Sequence, residues 1–188
     1  GTLAITGATT IDAGTADITL TEAASTFGSL SLTGANVAVT ESDATELAAS
    51  TVSGTFDIIS GGAITNSGAL VITGTSTFTN TAGTDAAITL DNAGNAFTGT
   101  VGFSTDSGSA VTVVDTTALD LQALIAASLS VTAGGDVTDS GTLAITGATT
   151  IDAGTADITL TEAASTFGAL ALTGANVSVV ENAAMELA

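Results

Sequence analysis

The first 28 residues of this chain occur twice. Gly1–Gly28 returns unchanged as Gly141–Gly168, and the match continues to residue 188 with 7 differences over 48 residues. Stacked repeats account for such self-similarity: each unit leaves an apolar face that a neighbouring unit covers, so similar segments pack on similar segments. A globular sandwich leaves it unexplained. Inside the 140-residue period lies a weaker one of 70, dividing the chain into 18–87 and 88–157. Ile18-Thr19-Leu20 aligns with Ile88-Thr89-Leu90 and Ile158-Thr159-Leu160, and Phe27 with Phe97 and Phe167. A further pair of blocks, Ser60–Gly68 and Ala133–Gly141, matches at an offset of 73, so small insertions and deletions separate the aligned stretches, as loops vary on a constant scaffold.

Apolar residues alternate within each unit, as in Leu3/Ile5, Leu30/Leu32, Phe56/Ile58, Leu70/Ile72, Val111/Val113 and Leu129/Val131. Period two means strands with one buried face. Gly, Asn, Asp and Ser punctuate them, as corners that tolerate positive φ would require. The pattern predicts an all-β fold, a right-handed parallel β-helix running through residues 1–188 as one continuous solenoid with no separate globular domain. A 70-residue unit is expected to hold a whole number of coils, three of roughly 23 or four of roughly 17 residues, which gives about 8 to 10 coils in all. Ala118–Ala127, where helical spacing competes, reads as a strand with a bulging insertion.

Composition restricts the chemistry. The chain has no Lys, Arg, His, Cys, Pro, Trp or Tyr against 19 acidic residues, a formal charge of −19. Nucleic acids and anionic lipid surfaces are disfavoured as partners because there is no side-chain cation to neutralise their phosphates. Thiolate and imidazole chemistry is absent, and so is a Schiff-base lysine. Apolar runs are too short for a membrane helix, and the aromatics, all Phe, are too few for the girdles of a membrane barrel. With no Lys or Arg, even the unfolded chain is expected to survive trypsin. Rapid fragmentation of denatured protein by pure trypsin would contradict this.

Blocks such as Ile88-Thr89-Leu90-Asp91-Asn92-Ala93-Gly94-Asn95-Ala96-Phe97-Thr98-Gly99 and Leu129-Ser130-Val131-Thr132-Ala133-Gly134-Gly135-Asp136-Val137-Thr138-Asp139-Ser140-Gly141 resemble the repeat region of filamentous-haemagglutinin-like exoproteins and related giant β-strand-repeat proteins of Gram-negative bacteria. The resemblance covers essentially the whole chain. It implies the shaft of a secreted or surface-held bacterial protein, often an adhesin, and carries over no catalytic residue.

Four residues have the chemistry for a cation site. Asp136 and Asp139 follow a Gly-Gly turn, while Asp91 and Asn92, with Asn95 nearby, share another. Oxygen-rich turns hold Ca²⁺, but Asx side chains also satisfy turn backbone groups. The second reading is preferred, because the other copy has Ala63 and Asn66 where this one has Asp136 and Asp139. Calcium is then expected as a weak counterion, with no other cofactor. Thr75, Thr77, Thr79 and Thr81 suggest an ice-binding or sugar-facing ladder, but their equivalents at +73 are Ala148, Thr150, Asp152 and Gly154, so a plain solvated strand face is preferred.

These readings converge on a non-enzymatic structural segment of an extracellular or cell-surface shaft. An adhesin segment binding through its loops is the alternative. The expected partner is the chain itself, by end-to-end stacking or continuation into a longer chain. Acid or divalent cations are expected to bundle shafts laterally by removing or bridging carboxylate charge. Light scattering that stays flat across a Ca²⁺ and pH titration would refute the bundling.

Overall fold

A computed structural model describes residues 1–81, 86–105 and 108–182. It is an all-β parallel solenoid of about 8 turns, with no helix among the described residues. Among the described residues twelve strands form one wall, which forks at Thr26–Gly34 because Thr45–Leu47 and Ser50–Val52 of the next coil both pair with it, and nine strands form a second; a short two-stranded sheet, Leu124–Ala126 with Leu143–Ile145, is separate from them. The pairings between named strands are all parallel, with each strand lying against its counterpart one coil away.

Register shows how the coils advance. On the nine-stranded wall Ile18 faces Val37, Val37 faces Phe56, Phe56 faces Ser76, Ser76 faces Val101 and Val101 faces Leu121. Leu121 pairs with Asp139, and on the same strands Val137 pairs with Ile158 and Ile158 with Val177. The 140 residues from Ile18 to Ile158 therefore span seven coils of about 20 residues each.

This corrects the whole-number expectation for the 70-residue unit. Ile18 and Ile158 lie on the nine-stranded wall, whereas Ile88, halfway between them in sequence, pairs with Ile64 and Val111 on the twelve-stranded wall. Seventy residues make three and a half coils. Successive 70-residue units thus start on different walls, and only the 140-residue repeat restores the starting wall. A half-integral repeat is tolerated because both walls ask the same of a strand: alternate apolar residues inward and small polar ones outward.

That alternation fills the interior with Leu, Ile, Val and Phe, many completely buried. Phe78 lies at the centre of an aromatic cluster, 5.8 Å from Phe56 and from Phe103 and 6.0 Å from Phe97 between ring centroids. Ala118–Ala127 holds two strands, Leu119–Leu121 and Leu124–Ala126, separated by a corner at Gln122-Ala123 and lying in different sheets. The expected bulge is replaced by a turn of the coil, and the helix-like spacing arises because inward positions change phase at the corner.

The corners also differ from expectation. Among the described residues only Gly14, Gly108 and Gly154 have positive φ, and no other residue type does. Most glycines answer a different need: coils one strand spacing apart leave no room for a Cβ. A methyl group at Gly74 would overlap the carbonyl of Gly54, and one at Gly99 the carbonyl of Gly74. These three glycines stack as a column at one corner.

Candidate functional site

The turns that carried the sequence-level candidates are built from side chains donating to or accepting from the adjacent coil. Asp139, nearly buried, accepts the backbone N–H of Thr161 at 2.7 Å and that of Glu162 at 3.2 Å through its two oxygens. Asn66, at the equivalent position of the other copy, accepts the N–H of Asn92 at 3.4 Å. Exposed Asp136 accepts the N–H of Asp157 at 2.9 Å. Asn92 accepts the N–H of Gly94 at 3.0 Å and donates its amide to the Ser67 carbonyl at 3.1 Å, while Asp91 is exposed on the same turn. The structure therefore brings Asp91 and Asn92 together on one turn and uses Asp136 and Asp139 as caps for the following coil. Among the described residues no three acidic side chains converge as a metal-ligand cluster.

Equivalent chemistry in Asp and Asn gives a direct test. Asp139→Asn keeps one of the two oxygen acceptors and turns an amide donor toward the other N–H, so it should cost part of what the alanine variant costs. Asp139→Ala leaves two backbone donors unpartnered and should cost about 1–3 kcal/mol. Urea denaturation of the two variants with and without a Ca²⁺ chelator checks this; unfolding of the parent protein by chelator alone would make Asp139 a metal ligand instead.

A second motif recurs three times at the 70-residue spacing and had no clear signature in the sequence beyond its phenylalanine. A tight turn joins the N–H of Ser25, Asn95 or Ser165 to the carbonyl of Glu22, Asn92 or Glu162, at 2.9, 3.1 and 2.9 Å. The side chains of Ser25, Asn95 and Ser165 then accept the N–H of Leu3, Leu70 and Leu143 at 3.1, 2.9 and 3.0 Å. Two residues further on, the N–H of Phe27, Phe97 and Phe167 donates to Glu41, Asp115 and Glu181, at 2.7, 3.0 and 3.2 Å. A carboxylate from 14 to 18 residues downstream thus closes each turn. The three rings are buried as expected, in matching local surroundings. They do not share one column: Phe97 aligns through Ile72 and Val52 with Gly34, seven residues beyond Phe27, because the unit is not a whole number of coils.

Burial acts on two of these acids, Glu41 and Asp115. Desolvation pushes the Glu41 carboxyl above its ordinary value, aided by nearby Asp43 and opposed by hydrogen bonds from Thr45 and the Phe27 amide. Asp115 is also raised by desolvation, against the pull of donors at Phe97, Thr117 and Thr116. Each carboxyl is engaged in a turn of its own coil pair, where it holds backbone.

Outward-facing hydroxyls form a row that the sequence comparison missed. Thr65, Thr89, Thr112, Ser130 and Thr150 are in register across five successive strands of the twelve-stranded wall. The strand of Thr75, Thr77, Thr79 and Thr81 does not stack as a ladder: Thr77 lies between Asp57 and Gly102 and Thr79 between Ile59 and Ser104, and of the four Thr75 accepts a neighbouring hydroxyl, that of Thr100 at 3.3 Å. A search at the coil spacing, which varies around 20 residues, would have found the former; one at 70 compares residues from different columns. An apolar depression lined by Phe103, Leu124, Ile125 and Ala144 completes the surface features.

The model of a family described as repeats of unknown function, DUF5649, matches residues 1–33, 34–104 and 108–174. The chain belongs to the DUF5649 repeats. No curated protein and no solved structure matches it. The two longer matches each cover about 70 residues, so the DUF5649 unit in this chain corresponds to the three-and-a-half-coil unit of the solenoid.

Proposed function

We propose that this DUF5649 chain is a structural segment of an extracellular or cell-surface shaft or filament of a bacterium, comparable in role to the repeat region of filamentous-haemagglutinin-like proteins. The observation that supports this reading is the return of the same cross-section after seven coils, with an unbroken apolar interior and small polar residues outside. Length is then the property that the repeat number sets, and stiffness follows from continuous ladders along the axis. The role is non-enzymatic, and its chemistry is that of turns closed by carboxylates and amides.

The test is localisation joined to shape. Antibody against the folded segment should label intact cells of the source organism, and a tandem of two 140-residue units should lengthen the rod by about 34 Å per unit, seven coils at about 4.8 Å each, in electron micrographs. Labelling only after lysis, or a compact particle, would refute it. The depression beside Ile125, a residue 64% exposed, favours an adhesin segment as the second reading. In that case Ile125→Asp would abolish attachment of coated beads to target cells and leave the rod unchanged.

A further inference from the structure

Short strands fill the junctions between the two walls, and they change junction along the chain. Ser50–Val52, Leu70–Ile72 and Ala96–Phe97 stack on one another. Each follows a strand in the main run of the twelve-stranded wall and precedes one of the nine-stranded wall. Leu124–Ala126, Leu143–Ile145 and Thr166 form a second set, in which each member follows the nine-stranded wall and precedes the twelve-stranded one. The two sets therefore occupy the two different junctions of the walls. Ala4-Ile5 with Thr26-Phe27 repeats the close of the second set.

Each set stops at a phenylalanine whose backbone faces a place with no strand. Successive residues of a parallel strand direct their N–H and C=O groups to opposite neighbours. Thr98 donates back to the Ile72 carbonyl at 2.9 Å, so Phe97 points forward. There the chain passes from Ala110–Asp115 through Thr116-Thr117-Ala118 directly to Leu119–Leu121, and side chains take the positions of the missing strand. Asp115 accepts the Phe97 N–H at 3.0 Å, and the Thr117 hydroxyl donates to the Phe97 carbonyl at 3.2 Å. Thr116 donates its N–H and its hydroxyl to the Asn95 carbonyl at 2.8 and 2.7 Å. The other two closures are built alike. Glu41 takes the Phe27 N–H while Ser42 donates to the Ser25 carbonyl, and Glu181 takes the Phe167 N–H while Asn182 donates to the Ser165 carbonyl.

An uncovered strand edge is a template for further strands, most of all where it carries apolar side chains. These sets carry Val71 and Ile125, 43% and 64% exposed. We propose that Glu41, Asp115 and Glu181 are edge stops: each occupies the N–H that a fourth strand would use, which ends one set of short strands and shuts its edge against strands of a second chain. This role goes beyond the shaft reading and does not depend on it.

The test opens one edge and leaves the others closed. Asp115→Ala/Thr117→Ala removes both side-chain contacts to Phe97, and the folded variant should grow into β-rich assemblies at ~1 M salt, where repulsion between the acidic chains reaches only about 3 Å. Sedimentation velocity reads the mass and circular dichroism the fold. Asp115→Asn keeps an oxygen for the Phe97 N–H and should stay monomeric. So should Ile58→Ala, a core deletion on the nine-stranded wall that lowers stability without opening an edge. Hydrogen exchange adds a measurement on the parent protein, in which the Phe97 amide should exchange as slowly as the ladder amide of Ile72; in the double variant it should exchange about tenfold faster or more. Fast exchange of Phe97 in the parent, a double variant that stays monomeric, or equal assembly by Asp115→Asn or Ile58→Ala would overturn the edge stop. Unfolding of the double variant beside a folded Asp115→Asn would make the acids plain stabilising contacts and overturn it as well.

Discussion

Acidification is expected to raise the melting temperature of this protein by several degrees between pH 7 and pH 4, with no acid unfolding down to pH 2. Glu41 and Asp115 are buried, and desolvation lifts both above their ordinary values of 4.5 and 3.8. Between those values and the raised ones, the native state holds protons that the unfolded chain has released. Stability therefore falls as pH rises through this window, and the contribution is fully present below the ordinary values. Asp57, on the outer face of its strand, is also raised by desolvation and acts in the same direction.

The usual opposing force is missing. Acid commonly unfolds proteins by breaking salt bridges and leaving a large positive charge. Here no side chain is cationic, and protonation simply discharges a chain of −19. Melting curves followed by circular dichroism at micromolar concentration, from pH 8 to pH 2, are the measurement. A melting temperature that declines steadily below pH 5 would contradict the argument. Glu41→Gln with Asp115→Asn should flatten much of the rise, since neither amide titrates.

Phe78→Ala should be among the most damaging single substitutions, costing roughly 3–5 kcal/mol. Phe78 is fully buried and packs against Phe56, Phe97 and Phe103, which belong to three other strands, so its loss opens a cavity between coils. Neighbouring coils pair through continuous ladders and do not collapse easily around a void. Phe27→Ala, in the second coil, should cost less at the global transition and show as local opening of residues 1–34 in hydrogen exchange. Equal effects of both substitutions on the global transition would mean that the solenoid unfolds as a single block.

The strand class, the parallel solenoid and the identity of the inward residues were all legible in the chain, because they depend on local alternation and on a verbatim copy. Leu30/Leu32, Phe56/Ile58 and Leu129/Val131 had to point inward on any coil that buried them. The turn character of Asp136, Asp139 and Asn92 was legible too, since Asx side chains cap backbone wherever corners recur.

Coil length was settled only in three dimensions. The 70-residue period in the sequence reports similarity of local motifs, and a motif such as Phe97 with Asp115 works equally well on either wall. Whether 70 residues make a whole or a half number of coils depends on how Ile88 pairs across space, with Ile64 and Val111, and no local pattern encodes that pairing. The same holds for the glycine column of Gly54, Gly74 and Gly99 and for the hydroxyl row from Thr65 to Thr150. Alternation along the chain decides which side chains are buried. Which residues meet across 4.8 Å is decided by coil closure, a property of the stacked backbone as a whole.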